Sequence, residues 1–351
     1  MIDSVGYAAN SAGGKLGKFS FKRRDVGDND VLIEISYCGI CHSDIHEVKN
    51  EWGGSNYPLV PGHEIIGKVV EIGSNVKKFK TGELAGVGCM VGSCGKCEAC
   101  IRGEEQNCKD GPIWTYNSTD PATGNQTRGG YSNNIVVNES FALKINNGVN
   151  EAAVAPLMCA GITTYSPLKR WGAGPGKSIG VAGLGGLGHM AVKIAKAMGA
   201  DVTVITSSES KVNEAKRLGA SKVVFSKDKA AFDANRRSFD IIIDTIPAKH
   251  DIDSALSLTK PGGAVVVVGL PPRSQKYELS ASSVVGGSRI FAGSNIGGIR
   301  ETQEMLDFCA KHGVTADVEK IPPEEINEAY ERALRSDVKY RFVIDMASLA
   351  H

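Results

Sequence analysis

Ser178-Ile179-Gly180-Val181-Ala182-Gly183-Leu184-Gly185-Gly186-Leu187-Gly188 joins an apolar run of strand character to a Gly-x-Gly-x-x-Gly turn. From His189 onward the chain carries Met190, Ala191, Ile194, Ala195 and Met198 at helical spacing. In a strand-turn-helix unit such glycines permit the tight turn and let a pyrophosphate approach the N-terminus of the helix, where backbone N–H groups and the helix dipole favour an anion. The pattern alone is weak evidence in a chain with 42 glycines. Its surroundings strengthen it. Further strand candidates follow at 202–206, 223–225, 239–244, 264–270 and 289–293. Between them Val212, Ala215 and Leu218 face one way before Gly219, and Ile252, Ala255, Leu256 and Leu258 precede Pro261-Gly262-Gly263. Six strands with helical crossovers predict an α/β fold with a doubly wound parallel sheet that binds a dinucleotide at Gly183, Leu184, Gly185, Gly186, Leu187 and Gly188.

The end of the next strand distinguishes the dinucleotides. An NAD site usually places an acid there for the ribose 2′-hydroxyl. This chain reads Thr206-Ser207-Ser208-Glu209-Ser210-Lys211, with Ser207 at the expected place of the acid. Hydroxyls with a lysine one turn away accept a 2′-phosphate that a carboxylate would repel. NADP(H) is therefore expected over NAD, with Glu209 facing solvent at a helix start.

Upstream of the glycine turn, the first 150 residues read as β-rich, with strands at 31–37, 65–72, 131–137 and 141–145, abundant turns and few helices. Residues 110–130, with Pro112, Pro121, Gly124, Gly129 and Gly130, form a long loop of the kind that often carries function. In the tail, 300–312 and 324–335 read as helices, and 340–346 as a strand returning to the first domain.

The length of 351 residues exceeds what one hydrophobic core usually supports. A balance of 40 basic and 39 acidic residues, net charge +1, gives no nucleic-acid or acidic-membrane footprint. No run of about 18 apolar residues offers a membrane span, and Met1-Ile2-Asp3-Ser4-Val5-Gly6 lacks the basic-then-apolar pattern of a secretory leader. A cytoplasmic protein is expected. Four of the nine cysteines fall at Cys94, Cys97, Cys100 and Cys108, and in a reducing compartment that clustering favours metal over disulfides. Four thiolates at this spacing close a tetrahedral shell with no open position, so a zinc there would be structural; an iron–sulfur cluster has the same ligand type.

A second concentration of donors lies in Gly39-Ile40-Cys41-His42-Ser43-Asp44-Ile45-His46, followed by His63-Glu64 and, much later, Cys159. Cys41, His63 and Cys159 supply two sulfurs and one nitrogen, a combination that leaves a fourth zinc position for substrate. Their separations carry no signature of their own.

Together these residues resemble the zinc-dependent alcohol dehydrogenases of the medium-chain dehydrogenase/reductase superfamily, in the cinnamyl alcohol dehydrogenase and NADP-dependent aldehyde reductase branch. The carrying segments are Gly39 to Asp44, Pro61-Gly62-His63-Glu64, Ala155-Pro156-Leu157-Met158-Cys159-Ala160-Gly161, the Cys94 to Cys108 lobe, and Gly183 to Gly188 with Thr206, Ser207 and Lys211. The resemblance implies a Rossmann domain at 158–296, and a β-rich GroES-like catalytic domain at 1–157 to which 297–351 returns. It implies Cys41, His63 and Cys159 on a catalytic zinc with Glu64 as an alternate ligand, a second, structural zinc, and Asp44 supporting His63. Ser43 and His46 resemble a proton relay, with His46 exchanging protons with solvent. His42 and Arg341 resemble cofactor contacts, and Thr163 would pack on the nicotinamide. Trp52, Trp114 and Ile296 are candidate pocket residues, equally readable as packing beneath loops.

The implied activity is reversible hydride transfer between NADPH and an aldehyde by a homodimer paired through the strand near 288–293. The alternatives are an NAD-linked dehydrogenase of small alcohols and a non-catalytic zinc- and nucleotide-binding protein.

Overall fold

The computed structural model describes residues 1–349. The chain forms two compact units. One comprises Met1–Cys159, Gly297–Ala310 and the segment from Thr315 onward; the other comprises Ala160–Ile296 with Lys311–Val314. The division falls after Cys159, two residues beyond the expected boundary, so all three expected zinc ligands belong to one unit.

The second unit contains a six-stranded parallel sheet in the order Lys222–Phe225, Asp201–Thr206, Ser178–Ala182, Phe239–Asp244, Thr259–Val267, Ile290–Gly293. In chain order this is 3-2-1-4-5-6, the doubly wound arrangement, with the glycine turn at the central strand where the winding reverses. Buried Ile179, Val181, Val202, Val204, Ile241, Ile242 and Ile243 explain the strands' continuous apolar character, since helices cover both faces of such a sheet. Two details differ from the sequence reading. Pro261-Gly262-Gly263 lies inside strand Thr259–Val267 as a bulge: the register passes from Phe239↔Thr259 to Ile241↔Ala264, and Gly262 has φ +75°. A helix, Ala160–Arg170, precedes the first strand.

In the first unit, Asp30–Gly39 is the central strand. It pairs antiparallel with Ile65–Ile72 on one side, and on the other with Asn134–Asn138 and then Arg341–Asp345. Leu84–Val87 and Leu143–Lys144 extend one edge, and Val318–Ile321 the other. Ile33, Ile35, Ile65, Val69, Phe342 and Ile344 form its core. An N-terminal hairpin, Ile2–Ala8 with Gly17–Arg23, was not expected. The tail strand at 340–346 corresponds to Arg341–Asp345. Three strands therefore converge at one end of the sheet: Cys38 pairs with Ile65, the Gly39 N–H donates to the Glu64 carbonyl at 2.9 Å, and Val343 lies opposite Gly39.

Among the described residues, no helix is long and apolar enough to cross a membrane.

Candidate active site

Past Gly39 the central strand turns into the short helix His42–Val48, with Cys41 at its N-cap. Asp44 sits in the first turn and is fully buried. Its carboxylate accepts from Cys41 N at 2.9 Å, Gly62 N at 3.0 Å and Tyr131 Oη at 3.3 Å, and faces His63 Nδ1 at 3.0 Å. One side chain thus caps its own helix, holds the Pro61-Gly62-His63 segment and fixes the imidazole with Nε2 free to act as a lone-pair donor.

Cys41, His63, Glu64 and Cys159 are all buried, and their donor atoms lie within 4.8 Å of one another. Cys41 Sγ and Cys159 Sγ are 3.9 Å apart, and no two of the nine cysteines form a disulfide. A zinc with tetrahedral bonds of about 2.3 Å would hold two sulfurs about 3.8 Å apart. Hydrogen bonding between the two sulfurs pulls the Cys41 thiol well below its ordinary range and pushes Cys159 well above its own. Glu64 Oε1 is bound by the Arg341 guanidinium, whereas Glu64 Oε2 is buried and, among the described residues, has no hydrogen-bond partner. Burial pushes the Glu64 carboxyl up to about 7 against the pull of Arg341. A buried oxygen lacking a partner, two facing thiols and an oriented imidazole form a donor set that fits zinc.

Gly39 makes this packing possible, because a Cβ there would stand 2.0 Å from Glu64 Oε2 and 3.0 Å from Glu64 Cβ. Arg341, read from sequence as a cofactor contact, is 4 % exposed and paired with Glu64, 277 positions away.

Ser43 Oγ lies 3.6 Å from Cys41 Sγ. His46 differs from the expected solvent-exchanging group: it is 8 % exposed, its Nδ1 pairs with Glu51, and Trp52 stacks on it at 4.9 Å between ring centroids. Its Nε2 is buried and has no partner among the described residues. Glu51, whose side chain is 33 % exposed, lies between His46 and water. Sequence reasoning missed Glu51, and also Tyr131 on Asp44, because neither belongs to a motif. His42 is exposed, with its ring 6.5 Å from that of His46.

In the Cys94–Cys108 lobe the four sulfurs also lie within 4.8 Å of one another, with Cys94–Cys100 and Cys97–Cys100 separations of 3.9 and 3.5 Å. Backbone N–H groups point at sulfur: Cys97 N donates to Cys94 Sγ and Cys94 N to Cys108 Sγ, both at 3.4 Å. Such donors, from Cys100 and Lys109, pull the Cys97 thiol down to about 6, whereas Cys94, against backbone donors of its own, is pushed up to about 11 by burial and by the Cys108 and Cys97 sulfurs.

In the second unit, Gly183 has φ +88°, and a Cβ on Gly188 would meet the Gly183 carbonyl oxygen at 2.3 Å, which explains two of the three motif glycines sterically. The middle one, Gly185, is exposed with open space around it at the start of helix Gly188–Ala197. Lys211 reaches back to donate to the Leu184 carbonyl at 2.8 Å, and Thr206 Oγ1 accepts from Ser208 N at 3.2 Å. Ser207 is exposed at the end of its strand. Thr163 lies in helix Ala160–Arg170, four residues before Pro167, which lacks the N–H that would bond the Thr163 carbonyl.

Residues 27–147 match the model of the alcohol dehydrogenase GroES-like domain, and residues 186–311 that of the zinc-binding dehydrogenase domain. The chain is 52% identical over 349 residues to aldehyde reductase YahK of Escherichia coli, covering 99% of each. It is 54% identical over 344 residues to NADP-dependent alcohol dehydrogenase C 1 of Mycolicibacterium smegmatis, covering 98% of each. Among solved structures, a cinnamyl alcohol dehydrogenase of Sorghum bicolor superposes with a TM-score of 0.95 at 47% identity, covering 98% of each chain. The CAD of Helicobacter pylori, complexed with NADP(H), does so at 0.94 and 42%, covering 99% of each. The chain belongs to the zinc-binding alcohol dehydrogenases of the medium-chain dehydrogenase/reductase superfamily.

Proposed function

We propose that this protein is a zinc-dependent oxidoreductase that reduces aldehydes to primary alcohols with NADPH and runs the reverse oxidation. The observation that carries this reading is the buried cluster of Cys41, His63, Glu64 and Cys159, with an oxygen that no group among the described residues satisfies. The similar E. coli chain is called an aldehyde reductase, the M. smegmatis one NADP-dependent, and the H. pylori one was solved with NADP(H). When bound, zinc supplies a Lewis acid for the carbonyl oxygen and the nicotinamide supplies the hydride.

The chain's own residues do the rest. Cys41, His63 and Cys159 hold the metal, Asp44 keeps the His63 ring in register, and Glu64, tied by Arg341, stands beside the metal as an alternate donor. Ser43 gives its hydroxyl proton to the product oxygen and is resupplied through His46, whose imidazole exchanges with water by way of Glu51. Gly183 to Gly188 receive the pyrophosphate, while Thr206, Ser207 and Lys211 take the 2′-phosphate. His42 and Thr163 complete the cofactor contacts.

Four cysteines at 94–108 hold a second, structural zinc, giving two per chain. The unit of Met1–Cys159, Gly297–Ala310 and the segment from Thr315 onward is the catalytic domain, and the unit of Ala160–Ile296 with Lys311–Val314 the cofactor domain. The edge position of Ile290–Gly293 supports pairing with a second copy as a homodimer. A cytoplasmic location, expected from the sequence, belongs to the same proposal.

Initial rates of reduction across aromatic, terpenoid and aliphatic aldehydes with NADPH and with NADH test the reading. It predicts turnover with NADPH and a clear preference for it. Absence of turnover with every aldehyde would leave a non-catalytic binding protein, and an NADH preference would return the choice to the small-alcohol dehydrogenases.

A further inference from the structure

Asp44 divides its hydrogen bonds between its two oxygens. Oδ1 faces the segment that carries the ligand, accepting from Gly62 N and lying 3.0 Å from His63 Nδ1. Oδ2 accepts from Cys41 N at 2.9 Å and from Tyr131 Oη at 3.3 Å. The group is planar and rigid, so donors on Oδ2 set the angle at which Oδ1 meets the imidazole. An ionised carboxylate accepts only, so the Tyr131 hydroxyl donates to it and keeps its own lone pairs for another donor. Tyr330 Oη supplies one, 3.4 Å from Tyr131 Oη.

The surroundings fix Tyr131 in place. Its ring is fully buried and packs on Gly62, the residue before the ligand: Gly62 has φ +104°, and a Cβ there would stand 2.6 Å from Tyr131 Cδ1. Tyr131 N donates to the Pro61 carbonyl at 3.0 Å, Gly130 N to the Gly62 carbonyl at 2.9 Å, and the Tyr131 carbonyl accepts from Tyr7 N at 2.8 Å. Tyr330 comes from helix Ile326–Leu334, 199 positions later, and meets Tyr131 edge to face with ring centroids 6.5 Å apart. Phenylalanine would fill either ring position without burying a hydroxyl that needs a partner. What the two O–H groups add is direction, and they point along one line toward Asp44.

We infer that Tyr131 is a positioning residue for the metal centre: acting through Asp44, its hydroxyl holds His63 at the angle a bound zinc needs, and Tyr330 steadies it from the tail of the chain. The inference rests on the proposal that Cys41, His63 and Cys159 hold the catalytic zinc. A hydrogen bond to a charged acceptor is stronger than a neutral one, and a hydroxyl that accepts one bond donates the next more strongly. The effect on the metal is smaller than that of removing the Asp44 charge, because Cys41 N and Gly62 N still hold the carboxylate.

Tyr131→Phe and Tyr330→Phe keep the packed rings and remove one hydroxyl each. The zinc-loaded enzymes are titrated with a chromogenic chelator, the four-cysteine site of the same chain serving as reference. In parallel the catalytic zinc is exchanged for cobalt(II), whose visible d–d bands read donor geometry. Tyr131→Phe should bind the catalytic zinc about three- to tenfold more weakly, leave the four-cysteine zinc unchanged and shift the cobalt bands. Tyr330→Phe should move both readouts less and in the same direction, and the double variant should match Tyr131→Phe, since Tyr330 acts through Tyr131. Wild-type zinc affinity and cobalt bands in Tyr131→Phe, even with a loss of urea stability, would overturn the inference. So would a double variant weaker than Tyr131→Phe by the full Tyr330→Phe loss. A wild-type chain that binds no metal outside the four-cysteine site would overturn the zinc reading itself, and this inference with it.

Discussion

Asp44 joins three separate segments of the first unit, and its substitution isolates their coupling. Asp44→Asn removes the charge that orients His63, so zinc affinity should fall by about 10–100-fold. Competition with a chromogenic chelator reads this directly. Unchanged affinity would mean that the Pro61-Gly62-His63 backbone alone positions the ligand. Glu64 and Arg341 make a second pair of linked residues. Arg341→Leu strands a buried carboxylate and should cost about 3–5 kcal/mol in urea unfolding, whereas the double variant Glu64→Leu/Arg341→Leu should recover most of that stability. Equal losses in single and double variants would rule out the pairing as the source. At this scale the sequence was partly legible. Cys41, His63 and Cys159 could be nominated only through the family resemblance of the segments around them, because their separations of 22 and 96 residues carry no metal signature. The Glu64–Arg341 pair could not, since it depends on a sheet register joining positions 277 apart. His46 was expected to exchange protons with solvent directly; it is buried under Trp52 with its Nδ1 on the half-buried Glu51, a contact that no motif announces.

Among the elements, strand Phe239–Asp244 ends in a buried carboxylate that faces His250 Nε2 at 2.6 Å. The hydrogen bond to Asp244 raises the His250 pKa above its ordinary value. A raised folded-state pKa gives stability that is fully present below the unfolded value of about 6.5 and is lost as pH rises through the folded value. His250→Gln should therefore cost about 1 kcal/mol at pH 6 and progressively less toward pH 9, read from unfolding midpoints at both pH values. A constant difference would exclude the charged pair. The inner parallel strands were legible because helices cover both faces, so Val202 to Thr206, Ile241 to Ile243 and Val265 to Val267 read as β-branched runs. Two features were hidden for physical reasons. Helix Ala160–Arg170 buries every residue from Ala160 to Leu168, so it shows no amphipathic stripe, and Pro167 argues against a helix. Pro261-Gly262-Gly263 has the composition of a turn, and only the register with Phe239 and Ile241 reveals a bulge.

For the molecule as a whole, alternating strands and helices around Gly183 predicted the doubly wound unit, and the 3-2-1-4-5-6 order follows that pattern. The β-rich unit was less legible because its central strand draws partners from residues 65–72, 134–138 and 341–345, long-range pairings that local pattern does not encode. The donor cluster forms where those pairings meet, so the chemistry depends on the fold of the entire first unit rather than on any one motif.

If Cys41, His63 and Cys159 hold the zinc on which aldehyde reduction depends, removing one of them removes both metal and turnover. Metal content measured together with NADPH-dependent aldehyde reduction, for wild type and Cys159→Ala, tests it most directly. The expected result is two zinc ions per chain in the wild type and one in the variant, with turnover abolished and NADPH binding retained. A Cys159→Ala protein that keeps both ions and reduces aldehyde at the wild-type rate would contradict it.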